Sequence, residues 1–255
     1  MIGRPQTMWD ARAAINFMLG GTGAGLLAAS VFFRTEPLIP VLVALALIGA
    51  GLGAVWLEIG RKLRAIHVFF NPFTSWMTRE AFVAVLVFVL AVSALLLRNQ
   101  LLYYAAALAA LGFLYCQARI LFGAKGIPTW RAREVVPLIV TTGLAEGLGA
   151  ALFFEATTHL LVLFALAVMA RAFAWRRYHA AVKSPHLESA GTVLLRLGTL
   201  AALALAALGH FIPLVAPLAG LASVAAGWNF KFRLVTRAAI RQDFTLPHLP
   251  IRGAR

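Results

Sequence analysis

The chain has 255 residues, of which 62% are hydrophobic and only 13% are charged. Soluble domains have about 25% charged residues, so the composition excludes an ordinary soluble domain and predicts an integral membrane protein surrounded by lipid. The formal net charge of +14 does not indicate a nucleic-acid partner, because the basic residues lie between apolar segments rather than on one soluble face.

Long apolar segments bounded by charged residues predict the membrane-spanning helices. A crossing needs about 20 mainly apolar residues, and the last two candidates share an uncharged run that we divide at Pro213 and Pro217, since proline interrupts a helix. The sequence therefore predicts an all-α membrane protein, with residues 1–122 as a first four-helix bundle, 134–235 as a second and 236–255 as a cytoplasmic tail. The eight predicted spans are about 13–33, 38–57, 81–97, 101–118, 135–154, 156–174, 190–210 and 213–232.

The first span contains the glycine-rich stretch MLGGTGAGLL, which includes Gly21. The stretch lies inside an apolar helix and does not follow a strand, so it lacks the context of a phosphate-binding turn. Small residues in a membrane helix allow a second helix to come close. The same space would also suit a flat ligand beside Asn16, one turn earlier. Close packing is the favoured interpretation, and the ligand is the alternative.

Residues 56–82, WLEIGRKLRAIHVFFNPFTSWMTREAF, form a polar and aromatic segment between the second and third spans. One interpretation is a helix start, with Thr78 as the N-cap and Glu80 near the positive end of the helix. A binding-site entrance lined by Trp76, Arg79 and Glu80 would also suit a quinone. The quinone head needs an apolar slot, with groups that hydrogen-bond its carbonyls and transfer protons to them. The two interpretations are compatible.

Two charged residues are predicted inside the membrane: Glu146 in the fifth span and Arg196 in the seventh. Such charges are expensive and are functional candidates by default. Their depths differ by about four residues, roughly 6 Å along a helix, so we expect an ion pair, with proton conduction or a solvated cavity as the alternatives. Among the histidines, only His159 and His210 share a depth, and we expect no haem between them.

The basic residues predict the orientation. Twenty of the 23 Lys and Arg residues fall at the N-terminus, after the second, fourth and sixth spans, or in the C-terminal segment, whereas the opposite loops contain only Arg34 and Arg98. Because basic loops are retained in the cytoplasm, both termini are predicted to be cytoplasmic, in a bacterial inner membrane.

Three motifs carry a resemblance to a known family. EIGRKLRAIHVFFNPFTSWMTREAF, MLGGTGAG in the first span and GIPTWR at residues 126–131 resemble the membrane-anchor subunits of polysulfide and DMSO reductases. The resemblance covers about the first 135 residues. It implies an eight-helix anchor that docks an iron–sulfur subunit and a molybdopterin-type catalytic subunit, and that passes their electrons to a quinone in the first four helices.

The family pattern suggests roles for particular residues. Glu80 and Glu58 would handle protons, although Glu58 stands where DMSO-reductase anchors have a histidine. Within the family, the N-terminal stretch is most similar to anchors of complexes that oxidise a CoA thioester. A small transporter and a structural assembly protein are the alternatives. The expected quinone contacts are Asn16, Gly21, Arg61, Trp76 and Arg79.

Overall fold

A computed structural model describes residues 4–6, 9–35, 37–58 and 62–241, which are almost entirely helical. Seven helices are long and apolar enough to cross a membrane, and the helix at the fifth predicted span is apolar but has only 17 residues. The expectation of an all-helical, multi-pass membrane protein is therefore confirmed. The helices are α1 Ala11–Phe32, α2 Leu38–Glu58, α3 Trp76–Leu97, α4 Gln100–Gly123, α5 Val135–Ala151, α6 Thr158–Ala181, α7 Pro185–Phe211 and α8 Pro213–Thr236.

Polar caps and prolines define the helix ends. Asp10 caps α1 by accepting a hydrogen bond from the Arg12 backbone N–H at 2.7 Å, and this bond holds the pKa of the Asp10 carboxyl below its usual value. The predicted N-cap at Thr78 is wrong: Ser75 caps α3, and its hydroxyl accepts from the Thr78 N–H at 3.3 Å. The predicted break near Pro213 is confirmed, because α7 ends at Phe211 and α8 begins at Pro213.

Helices α1 and α5 occupy the centre of the bundle. Helix α1 packs against α2, α4 and α5, while α5 also packs against α6 and α8. Residues from both halves of the chain contribute to each of the two buried hydrophobic clusters, so the two predicted four-helix bundles share their cores. The central contact depends on glycine, because a Cβ atom on Gly147 of α5 would overlap the backbone of Gly25 in α1. Close packing is thus confirmed for this part of the glycine-rich stretch.

Replacing Gly147 by alanine should destabilise the protein by about 1–3 kcal/mol, the usual effect of overpacking a core. The added methyl group would force α1 and α5 apart. Gly53→Ala is the matched control, because a Cβ atom there meets nothing within 4 Å. Thermal unfolding of both variants in lipid nanodiscs measures the difference. Equal stability of the two variants would contradict the close α1–α5 contact.

The first and last described segments of the chain meet on one side of the bundle, which we call the terminus end. Two-residue strands, β1 Arg4–Pro5 and β2 Ile240–Arg241, pair in antiparallel fashion. Next to them, the Trp130 indole N–H donates to the Leu234 carbonyl at 2.9 Å. The N-terminus, the α4–α5 connection and the end of α8 are thereby joined. A 3-10 helix, Lys62–Phe70, connects α2 to α3 at the same end.

Candidate functional site

A cavity of about 430 Å³ lies at the terminus end, between α1, α2, α3 and the 3-10 helix. Its volume is within the roughly 300–1,000 Å³ of small-molecule sites, which are mostly apolar with a few placed polar groups. Here the polar groups are one amide, one carboxyl and two indoles. The lining residues are Trp9, Ala13, Asn16, Phe17, Leu52, Val55, Trp56, Ala65, Val68, Met77, Glu80, Ala81 and Ile120.

The carboxyl of Glu80 and the amide of Asn16 lie together in the cavity wall. The Asn16 Nδ2 atom donates to Glu80 Oε1 at 3.3 Å, and Gln117 Nε2 of α4 donates to the Asn16 carbonyl oxygen at 3.0 Å. All three side chains are buried. Asn16 Oδ1 is buried and accepts no hydrogen bond from the described part of the chain.

Local backbone geometry creates the room for these amides. Residues Asn16–Gly20 form a π-helical segment inside α1, a rare geometry that is frequent at functional sites. A Cβ atom on Gly20 would press on the Gln117 amide, and one on Gly51 of α2 would press on Asn16. The glycines that the sequence places near Asn16 therefore admit the polar side chains as well as neighbouring helices.

The structure places Trp76 and Arg79 beside the cavity; among the described residues, neither is part of its lining. Arg79 Nε donates to the Pro72 carbonyl at 2.8 Å, and its guanidinium lies 4.2 Å from the centroid of the Trp76 ring. The Arg119 guanidinium lies 4.4 Å from the same ring. Trp76 and Arg79, two of the predicted quinone contacts, thus stabilise the turn before α3.

The other predicted site residues are distributed differently. Gly21 lies against Lys231 and Gln117 in the bundle interior and away from the cavity lining. Arg61 lies outside the described residues, and so does the side chain of Glu58. Sequence reasoning missed Gln117, although an amide within the apolar run before GIPTWR was a signal that could have identified it.

A buried ion pair lies deeper in the bundle. Lys231 Nζ of α8 is 2.6 Å from Glu146 Oε2 of α5, and both side chains are 0% exposed. The expected Glu146–Arg196 pair is wrong, because Arg196 is exposed to the outside of the bundle. Lys231 lies near the end of α8, which continues to Thr236, and its side chain turns into the bundle.

Polar neighbours surround this ion pair. The Thr22 hydroxyl of α1 donates to Glu146 Oε2 at 2.9 Å, and the Trp228 indole N–H donates to the Thr22 oxygen at 2.9 Å. Lys231 Nζ also donates to the Phe17 carbonyl at 2.9 Å. The ion pair therefore joins α1, α5 and α8.

A second buried cation, Arg171, lies in α6. It donates to the carbonyls of Ser223 and Gly198. Gly198 belongs to a π-helical segment of α7, Arg196–Ala201. The N–H of Ala202 donates to the carbonyls of Leu197 and Thr199, whereas in a regular α-helix it would donate to the Gly198 carbonyl. The Gly198 carbonyl is thereby available to the guanidinium.

The same arrangement occurs in α1. The Gly21 N–H donates to the Met18 carbonyl instead of to Phe17, its partner in a regular α-helix. The Phe17 carbonyl accepts from Lys231 instead. Each π-helical segment thus supplies one backbone carbonyl to one buried cation, which offsets part of the desolvation that burial imposes on a charge.

The histidines that we considered for haem lie at the opposite end of the bundle. His159 Nε2 is 2.6 Å from the Phe32 carbonyl, and His210 Nδ1 is 3.5 Å from the Thr158 hydroxyl. The absence of haem stays a prediction. No group of three or more His, Cys, Asp or Glu side chains suited to a metal ion occurs within the described ranges.

Comparison with known proteins gives no family for this chain. No model of a known protein family matches it, and no curated protein matches it. The fold and the site define its class as a multi-pass helical membrane protein with an apolar, carboxyl-containing cavity at its terminus end. The family suggested by the three sequence motifs stays a prediction.

Proposed function

We propose that this protein is the membrane-anchor subunit of an oxidoreductase complex and that it reduces a quinone, ubiquinone or menaquinone, in the cavity beside α1, α2 and α3. The observation that carries the proposal is the pairing of Glu80 with Asn16 in an otherwise apolar cavity. Electrons would come from an iron–sulfur subunit, and that subunit would receive them from a molybdopterin-type catalytic subunit.

The chemistry of a quinone suits this cavity. A quinone head is flat and apolar with two carbonyl oxygens, and its two-electron reduction consumes two protons. Glu80 can donate a proton to one oxygen, and the Asn16 amide can orient the head. The indoles of Trp9 and Trp56, which also line the cavity, offer flat apolar surfaces. A cavity that only stored lipid would have no need of the carboxyl.

Electron transfer requires the donor cluster to lie near the cavity. The 56–82 segment exposes large apolar side chains at the terminus end, including Ile66 and Phe73, of which Phe73 is 88% exposed. Arg131 and Arg133 are exposed in the connection between α4 and α5. We infer that these two loops dock the iron–sulfur subunit. The identity of both partners rests on the resemblance of the motifs.

The pairing of the first and last described segments supports eight crossings. Because β1 and β2 pair directly, the N-terminus and the end of α8 lie on one side, which requires an even number of crossings. Seven long helices among the described residues would give an odd number, which favours a crossing by α5 as well. Its 17 residues reach the lower limit of about 17 for a crossing helix. The excess of basic loops at the terminus end supports a cytoplasmic location for both termini.

The substrate of the complex is proposed from the motifs alone. Within the anchor family, the N-terminal stretch MIGRPQTMWDARAAINFM is most similar to the membrane subunit of phenylacetyl-CoA:acceptor oxidoreductase. A CoA thioester is a cytoplasmic substrate, which fits catalytic subunits docked on that side.

A small transporter is the competing class, and it would show interrupted helices at matching positions of two repeated halves. The π-helical segments lie in α1 and α7, the first helix of one half and the third of the other. These positions do not correspond, so we favour the anchor.

Reversing two loop charges tests the docking surface. The double substitution Arg131→Glu and Arg133→Glu should release the soluble subunits from membranes at moderate salt, because acidic side chains would replace the basic contact. The matched control is Arg98→Glu, since Arg98 is exposed at the opposite end of the bundle. Iron together with molybdenum or tungsten in the tagged, purified complex measures docking. Unchanged metal content in the double variant would show that these residues do not dock the soluble subunits. If the complex purified with the wild-type chain contains neither iron nor molybdenum or tungsten, the proposed function is refuted.

A further inference from the structure

A line of buried polar groups connects the cavity to the Glu146–Lys231 pair. Gln117 donates to the Asn16 carbonyl, and its side chain also lies beside the Glu80 carboxyl. Its Oε1 atom accepts no hydrogen bond from the described residues, and neither does Glu146 Oε1. Buried polar atoms are nearly always hydrogen-bonded by protein or ordered water, so these unpartnered acceptors call for a donor.

Gly21 lies between Gln117 and Lys231. A Cβ atom built on Gly21 would be 2.5 Å from Lys231 Nζ and 3.4 Å from Gln117 Oε1, so both groups face the bare Cα atom. An ammonium group has three N–H donors; Lys231 gives hydrogen bonds to Glu146 and to the Phe17 carbonyl. The third N–H is available for Gln117 Oε1, directly or through one water molecule in the space that Gly21 leaves open.

We propose that Glu80, Gln117 and Lys231 form a proton-transfer path from the cavity to Glu146, and that the Glu146–Lys231 pair takes up and releases a proton. The Lys231 ammonium gives a proton to the Glu146 carboxylate, which leaves a neutral amine and a neutral carboxylic acid. The amine then accepts the Glu80 proton through water held by Gln117. Glu80 becomes a carboxylate and is reprotonated from the cavity, so the pair gains one proton and one positive charge.

The charged and polar groups around the path are consistent with this movement. Glu146 faces Lys231 of α8, Thr22 of α1 and, at longer range, Arg171 of α6. Glu80 faces Asn16 and Gln117, with Cys116 of α4 and Arg79 of its own helix nearby. A purely structural ion pair would need Glu146 and Lys231 but no continuation toward the cavity, and it is the continuation through Gln117 and Gly21 that indicates proton exchange.

Infrared difference spectroscopy of the purified full-length chain in lipid nanodiscs tests the path without any quinone or partner subunit. The C=O stretch of a protonated carboxyl group shifts when its proton is replaced by deuterium. Exposed carboxyl groups exchange at once in D₂O, so the slower bands report the buried groups. Glu80→Gln should remove one slow band, and Glu146→Asp should shift the other, which assigns both.

With the bands assigned, Gly21→Ala should slow deuterium exchange at Glu146 at least tenfold and leave exchange at Glu80 unchanged, because the methyl group fills the space between Gln117 and Lys231. Gly112→Ala is the control, since a Cβ atom there meets only Val83 at 3.6 Å, and it should exchange as the wild type does. Gln117→Leu should act like Gly21→Ala by removing the acceptor that holds the water, so a folding defect in either variant leaves the other as the test.

Two results would overturn the path. The first is a wild-type Glu146 that shows no protonated band at any pH at which the protein stays folded, which would mean a permanent ion pair. The second is equal Glu146 exchange in the wild type, Gly21→Ala and Gln117→Leu. Since the measurement uses the chain alone, neither result depends on whether the cavity binds a quinone.

Discussion

Replacing Lys231 by methionine should destabilise the protein by about 3–5 kcal/mol, the usual effect of removing one partner of a buried ion pair. Methionine has a side chain of similar length but no charge and no donor. Glu146 would then be a buried carboxylate without its cation, and the Phe17 carbonyl would lose the hydrogen bond that it accepts from Lys231. Chemical unfolding of the variant in mixed micelles, followed by tryptophan fluorescence, measures the change.

A second substitution separates the ion pair from packing. The double variant Lys231→Met and Glu146→Gln should recover most of the lost stability, because it removes the carboxylate that Lys231→Met leaves without its cation. Arg237→Met, at an exposed position directly after the end of α8, should stay within about 0.5 kcal/mol of the wild type. If Lys231→Met is as stable as Arg237→Met, the cation is not buried in the way the structure describes.

Apolar length and proline position were sufficient to predict most of the fold. A membrane helix needs an uninterrupted apolar run, so the runs and the charges between them predict where helices begin and end, and Pro213 cannot continue a helix that needs its N–H. Glu80 and Asn16 were predicted at the site because polar side chains at the ends of apolar spans are conspicuous. Their mutual contact in one cavity then requires that α1 and α3 begin at the same side of the bundle.

The interior charges show what the sequence could not specify. Lys231 lies near the end of a span, where a basic side chain usually extends to the headgroups, and nothing in composition indicates that this one turns inward. That direction depends on Glu146 and on a carbonyl freed in α1, both distant in sequence. The sequence does not indicate the π-helical segments either. Phe17 and Gly198 have no intrinsic preference for π-helical over α-helical hydrogen bonding, and the cations that bond their carbonyls are distant in sequence.

The proposed quinone chemistry makes Glu80→Gln the most informative substitution in the cavity. Glutamine keeps the shape of the side chain and its contact with Asn16, but it cannot donate the proton that a reduced quinone needs. Quinone reduction by the intact complex in native membranes should therefore slow by about 10²-fold, the lower range for loss of a general acid. Reduction of a soluble dye, which takes electrons directly from the catalytic subunit, should continue at the wild-type rate.

The comparison of the two activities identifies the step that fails. Glu188→Gln is the control. Glu188 is exposed at the start of α7, away from the cavity, and its substitution removes the same negative charge. Equal loss of quinone and dye reduction in Glu80→Gln would indicate failed assembly instead of a lost proton donor. Full quinone reduction in the variant would exclude Glu80 from the chemistry and would make Glu58 the next carboxyl to replace. Selective loss of quinone reduction would place the reacting quinone oxygen within reach of Glu80, because a general acid acts over a hydrogen bond or through one intervening water.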